Sequence, residues 1–130
     1  MLNLKIGDKE FQIKYGYKAT AQNGTLIKLA KFENIDDEAE RLDKMLKFLP
    51  EMLLVGLQKF HTKEFGFAND DEKKKQLEKI YDLLDTYFDD EDGDILDLYG
   101  QLQNELFENG FLKKLLSQEQ EKTKKSSSKN

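Results

Sequence analysis

The spacing of the apolar residues after position 34 constrains the fold of this chain more than any other feature. Asp36 or Asp37 suits the N-cap of a helix there, because its carboxylate can accept a hydrogen bond from a free backbone N–H of the first turn. The only proline, Pro50, falls inside the pattern, so it either opens a second helix or kinks a continuous one. The apolar side chains recur at steps of three and four, the period of one helix face: Ile35, Ala39, Leu42, Leu46, Leu49 and Leu53.

The segment that begins at Pro50, PEMLLVGLQKF, is apolar on more than one helix face. We therefore predict that it is the central and most buried helix. The next stretch, HTKEFGFANDDE, has the composition of a loop, and Asn69 or Asp70 at its end can cap the following helix. The inner face of that helix is predicted to carry Leu77, Ile80, Tyr81, Leu84, Tyr87 and Phe88.

A further helix is predicted to begin near Asp94 and to end at Asn109-Gly110. A glycine there can adopt the left-handed conformation that often follows a helix C-terminus. Phe111 is then expected to fold back onto the last turn, and LKKLL to add a short helix. The inner face of the long helix is predicted to carry Ile95, Leu98, Tyr99, Leu102 and Leu106.

The first fifteen residues have a different period. In LNLKIGDKEFQIKY the apolar and polar residues alternate around Gly7-Asp8-Lys9, which predicts a β-hairpin over residues 2–15 with one buried face. A lone hairpin is marginal in water, so it must pack on the helices. Residues 25–32, TLIKLAKF, fit either a third strand or a helix. The predicted fold is α+β and mainly α: a hairpin of two or three strands packed on four to five helices.

Composition limits what such a fold can do. The 130 residues carry a net charge of −5 and no cysteine, which excludes disulfides and cysteine-based zinc sites. We predict one globular domain over residues 1–117, with its helical part at 36–117, and a disordered basic tail over 118–130. No signal peptide or apolar run long enough for a bilayer is evident, so we expect a soluble, cytoplasmic protein with no membrane partner. No clustered lysine and arginine face of the kind that neutralises phosphates is evident before the tail, so no nucleic-acid partner is expected.

The stretch FDDEDGDILD resembles the middle of a calcium loop, with Asp90, Asp92 and Asp94 as possible metal ligands. When Gly93 is aligned with the glycine of an EF-hand loop, Phe88 and Tyr99 occupy the first and last ligand positions, where carboxylates are required. We therefore predict no metal site. The acidic residues are better explained as a turn between two helices, with Asp94 as an N-cap.

The residues that could carry catalysis lack partners at a useful spacing. His61 is the only histidine, and its sequence neighbours supply neither a metal-ligand set nor a general acid–base pair. The serines lie only at Ser117 and at 126–128, in or beside the predicted tail. We therefore predict that the chain is not an enzyme, has no catalytic residues and binds no cofactor, and that His61 lies at the surface near a helix end.

The apolar helix after Pro50 is most simply core, but it has more apolar faces than a small domain needs. We predict that part of this surface, together with the following loop, remains open to a partner protein. The candidate partner-binding residues are Met52, Leu53, Leu54, Leu57, Phe60, Phe65 and Phe67.

Three stretches together resemble a known family. They are LNLKIGDKEFQIKYGYKAT, FLPEMLLVGLQKFHTKEFGF and DLLDTYFDDEDGDILDLYGQLQNELFENGFLKKL, which span almost all of residues 2–116. They resemble the tail assembly chaperones of long-tailed, siphovirus-type phages and prophages of Gram-positive bacteria. The matching features are helix faces and turns, and the family has no catalytic residues to carry over.

The resemblance implies a chaperone that binds the tape-measure protein and keeps it soluble while the tail tube assembles around it. It implies action in the host cytoplasm and absence from the mature virion, with the major tail protein as a second possible partner. It also implies self-association, for which the hairpin edge and the apolar loop 65–67 are candidates. Two alternatives stay open: a helical adaptor that responds to divalent cations, and a structural component of the tail.

Overall fold

The computed structural model describes residues 1–115, and the predicted tail at 118–130 lies outside this range. The predicted mainly helical α+β fold with an N-terminal hairpin is confirmed. In chain order the elements are β1 (Leu2–Ile6), β2 (Lys9–Ile13), α1 (Tyr17–Gln22), α2 (Thr25–Glu33), α3 (Glu38–Leu57), α4 (Thr62–Phe65), α5 (Asp70–Asp85), a π-helical turn (Thr86–Asp90) and α6 (Ile95–Glu108).

Strands β1 and β2 form an antiparallel ladder in which Leu4 is opposite Phe11. Gly7 in the connecting turn has a φ of 62°, a conformation that favours glycine. Within residues 1–115 the sheet has these two strands only. Residues 25–32, which fitted a strand or a helix, are helical, and the buried Thr25, Leu29 and Phe32 of α2 follow a helical period.

Helix α3 is continuous through Pro50, and its N-cap is Asp37, whose carboxylate accepts a hydrogen bond from the Glu40 N–H at 2.8 Å. Every residue from Met52 to Leu57 is buried, which confirms that this segment is the central helix. The predicted inner face of its first half is wrong, because Leu42 and Leu46 are 43% and 51% exposed and Ala39 is exposed too. The predicted Leu49 and Leu53 are buried, and Met45 and Phe48 take the buried positions in place of Leu42 and Leu46.

The hairpin packs on α3 at Gly56. The Lys14 N–H donates to the Gly56 carbonyl at 3.0 Å, and the buried Tyr15 hydroxyl donates to the Met52 carbonyl at 2.9 Å. A Cβ at Gly56 would lie 2.6 Å from Cγ2 of Ile13, so only glycine allows this close approach. Burial also raises the pKa of Tyr15 far above its usual range, with the nearby Glu105 adding to the effect, so the hydroxyl remains a donor.

The remaining helices begin as predicted, but the end of α6 differs. Asn69 caps α5 and Asp94 caps α6. Of the glycines within residues 1–115, only Gly7 and Gly24 have a positive φ, so Gly110 does not form the predicted left-handed cap. Phe111 is 41% exposed and does not fold back into the core. The neighbouring Leu112, in the short helical segment at 112–115, is buried instead.

We expect Gly56→Ala to lower the free energy of unfolding by about 1–3 kcal/mol, because overpacking a filled interior has this typical cost. Urea denaturation followed by circular dichroism measures the change. Gly100→Ala is the matched control, since Gly100 lies in α6 with no atom within 4 Å of an added Cβ. Alanine should stabilise that helix by roughly 0.5–1 kcal/mol. If both variants were stabilised equally, the close packing of β2 on α3 would be wrong.

Candidate interaction surface

The predicted partner-binding residues lie mostly in the core. Five of them are at most 2% exposed and cannot form a surface for a partner, which corrects that prediction: Met52, Leu53, Leu54, Leu57 and Phe65. They are enclosed because α2, α5, α6 and the hairpin pack around the second half of α3. Of the other two, Phe60 is 50% exposed and Phe67 is half-buried against the core.

One cleft on the surface has a volume of about 580 Å³. It lies between α1, the C-terminal end of α3, α4 and the loop after α4, and we call it the α1 cleft. Its lining includes Tyr17, Lys18, Gln58, Lys59 and Phe67. Two stretches that are far apart in sequence, 16–23 and 58–67, thus meet at one surface depression, which includes the predicted loop residue Phe67.

The α1 cleft combines exposed aromatic and cationic groups. Tyr17 is 72% exposed, and its ring packs edge-on against Phe111 at 5.6 Å between centroids. Lys18 and Lys59 are exposed. The Gln58 side-chain amide donates to the carbonyls of Leu54 and Phe65, at 3.2 and 2.9 Å, which fixes one wall of the cleft. This set of groups can contact apolar and acidic side chains of another protein.

A smaller polar cleft of about 320 Å³ continues from the α1 cleft and shares Phe67 with it. Its lysines, Lys28 of α2 and Lys73 of α5, both donate to Oε1 of Glu51 on α3, each at 2.5 Å. Lys73 also lies 5.7 Å from the centroid of the Phe67 ring. The ion triad therefore joins three helices immediately beside the α1 cleft.

The acidic turn does not bring Asp90, Asp92 and Asp94, the alternative metal ligands, into a metal-binding group. Within residues 1–115 no group of three or more histidine, cysteine, aspartate or glutamate side chains is arranged to hold a metal ion. Asp94 accepts hydrogen bonds from the N–H groups of Leu96 and Asp97, at 2.9 and 3.1 Å. Glu91 accepts one from the N–H of Gly7 in the hairpin turn. The acidic residues thus cap α6 and fasten the hairpin.

His61 has a structural contact that the sequence did not indicate. Its Nε2 accepts a hydrogen bond from the N–H of Gln12 on β2 at 3.0 Å, and its ring packs edge-on against Phe11. The half-buried imidazole therefore joins the end of α3 to the hairpin. As predicted, His61 lies near a helix end, but its half-buried contact with the hairpin was not predicted.

Sequence reasoning missed Tyr17, Lys18 and Lys59. Tyr17 and Lys18 belong to a short polar segment, and Lys59 follows the buried helix, so neither segment has a pattern of its own that marks a surface site. The exposure of Tyr17 becomes informative only once folding places it beside the end of α3.

Comparison with protein-family profiles, with curated proteins and with solved structures finds no match. Among residues 1–115 no helix is both long enough and apolar enough to span a membrane.

We expect Asp94→Ala to lower the free energy of unfolding by about 1 kcal/mol, because two N–H groups of the first turn of α6 lose their acceptor. Thermal melting followed by circular dichroism at pH 7 measures the loss. Asp94→Asn is the matched control, since its side-chain oxygen can accept the same hydrogen bonds. An equal loss in both variants would contradict the capping role.

We expect Glu51→Gln to lower the free energy of unfolding at pH 7 by about 1–3 kcal/mol, because the exposed Lys28 and the mostly buried Lys73 lose the negative charge that pairs with both. Burial by itself raises the pKa of Glu51, but the hydrogen bonds and charges of Lys28 and Lys73 outweigh it and hold the pKa below its usual value. The stabilisation is therefore present above the unfolded-state pKa of about 4.3 and is lost as the pH falls through the folded-state pKa.

Urea titrations at pH 7, 5, 4 and 3 measure this dependence. The difference between wild type and Glu51→Gln should shrink in the acid range. Glu78→Gln is the control, since Glu78 is exposed on α5 and its substitution should change little at any pH. A difference that stays constant down to pH 3 would refute the proposed role of the ionised carboxylate.

Proposed function

We propose that this chain is a phage tail assembly chaperone that binds the tape-measure protein and keeps it soluble during assembly of the tail tube. The proposal combines the resemblance of residues 2–116 to that family with one structural observation. That observation is the α1 cleft, an open depression with an exposed aromatic ring at its edge. In this role the protein acts in the host cytoplasm and does not remain in the mature virion.

The shape of the α1 cleft favours a polypeptide ligand. Its volume of about 580 Å³ accommodates several side chains, and its open form suits one face of an amphipathic helix. Tyrosine is enriched among the residues that dominate protein–protein binding energies, since it buries a large area at a small cost in side-chain entropy. Tyr17, 72% exposed in the isolated chain, is therefore the residue on which we expect binding to depend most.

The surrounding charges suit a holdase. Lys18 and Lys59 border the cleft, whereas the whole chain carries a net charge of −5. A net charge well away from zero keeps a complex with an apolar partner in solution. The one histidine supports the hairpin through its hydrogen bond to Gln12, which is consistent with binding rather than catalysis.

Co-expression tests the function. The tape-measure protein, whose gene this proposal places beside the gene for this chain, should be largely insoluble alone and soluble when this chain is co-expressed. Tyr17→Ser should weaken the purified complex by about 30-fold, since a binding hot spot is worth about 2 kcal/mol. Titration of a labelled tape-measure fragment measures the affinity.

Tyr81→Ser is the matched control, because Tyr81 is 42% exposed on α5 and does not line the α1 cleft. It should leave the affinity unchanged. A tape-measure protein that is equally insoluble with and without this chain would rule out the chaperone function. Recovery of the chain in purified phage particles would instead favour a structural component of the tail.

A further inference from the structure

A second groove lies on another face of the molecule, between α2 and the first half of α3. It has a volume of about 350 Å³, and its floor is formed by Phe32, Ile35 and Phe48. The rings of Phe32 and Phe48 pack together at 5.6 Å between centroids and are 6% and 8% exposed, while Ile35 is half-buried. We call this depression the α2–α3 groove. It shares no lining residue with the α1 cleft.

The rim of the α2–α3 groove is cationic. It consists of two pairs of lysines, Lys28 and Lys31 on α2 and Lys44 and Lys47 on α3. Each pair has a spacing of three residues, so its members lie about one turn apart on one face of their helix. The whole chain has a net charge of −5, whereas the four lysines give the surface around this apolar floor a positive charge. This group of four lysines is not evident along the sequence, because the two pairs come together only when α2 packs on α3.

Two of these lysines are available to a ligand. Lys28 is paired with Glu51, and Lys47 lies 2.9 Å from Asp43, which raises the pKa of Lys47. Lys31 and Lys44 make no ion pair with any residue between 1 and 115. Each helix therefore contributes one uncompensated positive charge to the rim.

We propose that the α2–α3 groove binds an acidic amphipathic helix of a partner protein. One or two apolar side chains of this helix lie on the Phe32–Ile35–Phe48 floor, and carboxylates on either side of them pair with Lys31 and Lys44. The positive rim favours a partner with negative charge. The apolar floor favours a partner that also has apolar side chains to bury there. This second binding surface shares no lining residue with the α1 cleft, and the proposal does not rest on the function proposed for that cleft.

A polypeptide fits the groove better than a nucleic acid. Stacking of bases requires exposed aromatic faces, whereas both phenylalanines of the floor are more than nine-tenths buried.

Synthetic peptides test the proposal on the full-length chain. The probe is a fluorescently labelled 18-residue helical peptide with a leucine stripe flanked by glutamates. One comparison peptide has lysines in place of the glutamates, and a second has glutamines in place of the leucines. Fluorescence anisotropy at low and moderate salt should show binding of the acidic amphipathic peptide, at least tenfold weaker binding of both comparison peptides, and weakening by salt.

Variants locate the site. Lys31→Glu/Lys44→Glu should weaken binding of the acidic peptide by about tenfold or more, since two favourable charge contacts become repulsive. Lys5→Glu/Lys75→Glu makes the same change in net charge at exposed positions outside the groove and should have a much smaller effect. Ile35→Ser, which alters the floor without changing the charge, should also weaken binding. Circular dichroism spectra and melting curves confirm that each variant is folded.

Several results would overturn the proposal. They are no binding of the acidic amphipathic peptide, equal binding of the peptide without leucines, and an equal loss in the two lysine double variants. Tighter binding of a short DNA duplex through the same lysines would indicate a polyanion site instead. If the wild type sedimented as a dimer and the Lys31→Glu/Lys44→Glu variant as a monomer, the occupant of the groove would be a second copy of this chain. None of these results bears on the tape-measure test, which uses Tyr17.

Discussion

The contact of β2 with α3 at Gly56 is the constraint on which the rest of the fold depends. A two-stranded hairpin does not hold together in water, so β1 and β2 exist because their apolar face is buried on α3. That face can approach because position 56 has no side chain, and the approach is fixed by the hydrogen bonds from Lys14 to Gly56 and from Tyr15 to Met52. Helix α3, enclosed by the hairpin on one side and by the other helices around it, becomes the centre of the domain. Because α3 is buried in this way, the residues of α3 that were predicted to bind a partner are core residues.

The ion triad around Glu51 determines how the surface depressions are arranged. Lys28 reaches Glu51 from α2 and Lys73 reaches it from α5, so both helices are held against α3 at the same level. Lys28 lines the α2–α3 groove and also the polar cleft that continues into the α1 cleft. Lys28 therefore links the groove to the polar cleft beside the α1 cleft. Because Glu51 and Lys73 are mostly buried, their ion pair is less screened by salt than an exposed one.

Local sequence patterns predicted where the helices and strands of this fold lie better than they predicted which of their faces are buried. Alternation identified the hairpin, and a carboxylate before a helical run identified Asp94 as a cap, because both signals depend on neighbouring residues only. The inner face of α3 was misjudged at Leu42 and Leu46, since an apolar residue can remain exposed and periodicity does not say which stripe meets the core. The candidate surfaces were not predictable, because Tyr17 and Lys59 come together only through the packing of separate segments.

The two proposed binding surfaces are not energetically separate. Lys28 borders the α2–α3 groove, so a ligand carboxylate that extended beyond Lys31 to Lys28 would compete with Glu51, and Glu51 would then depend on Lys73 alone. Lys73 contacts the ring of Phe67, which lines the α1 cleft, so a change at Lys28 would reach the second surface through Glu51 and Lys73. Coupling of this kind is reciprocal, because the factor by which one ligand changes the affinity of the other is the same in both directions. A chain that binds one partner at each surface would therefore hold one of them more or less tightly according to whether the other is bound.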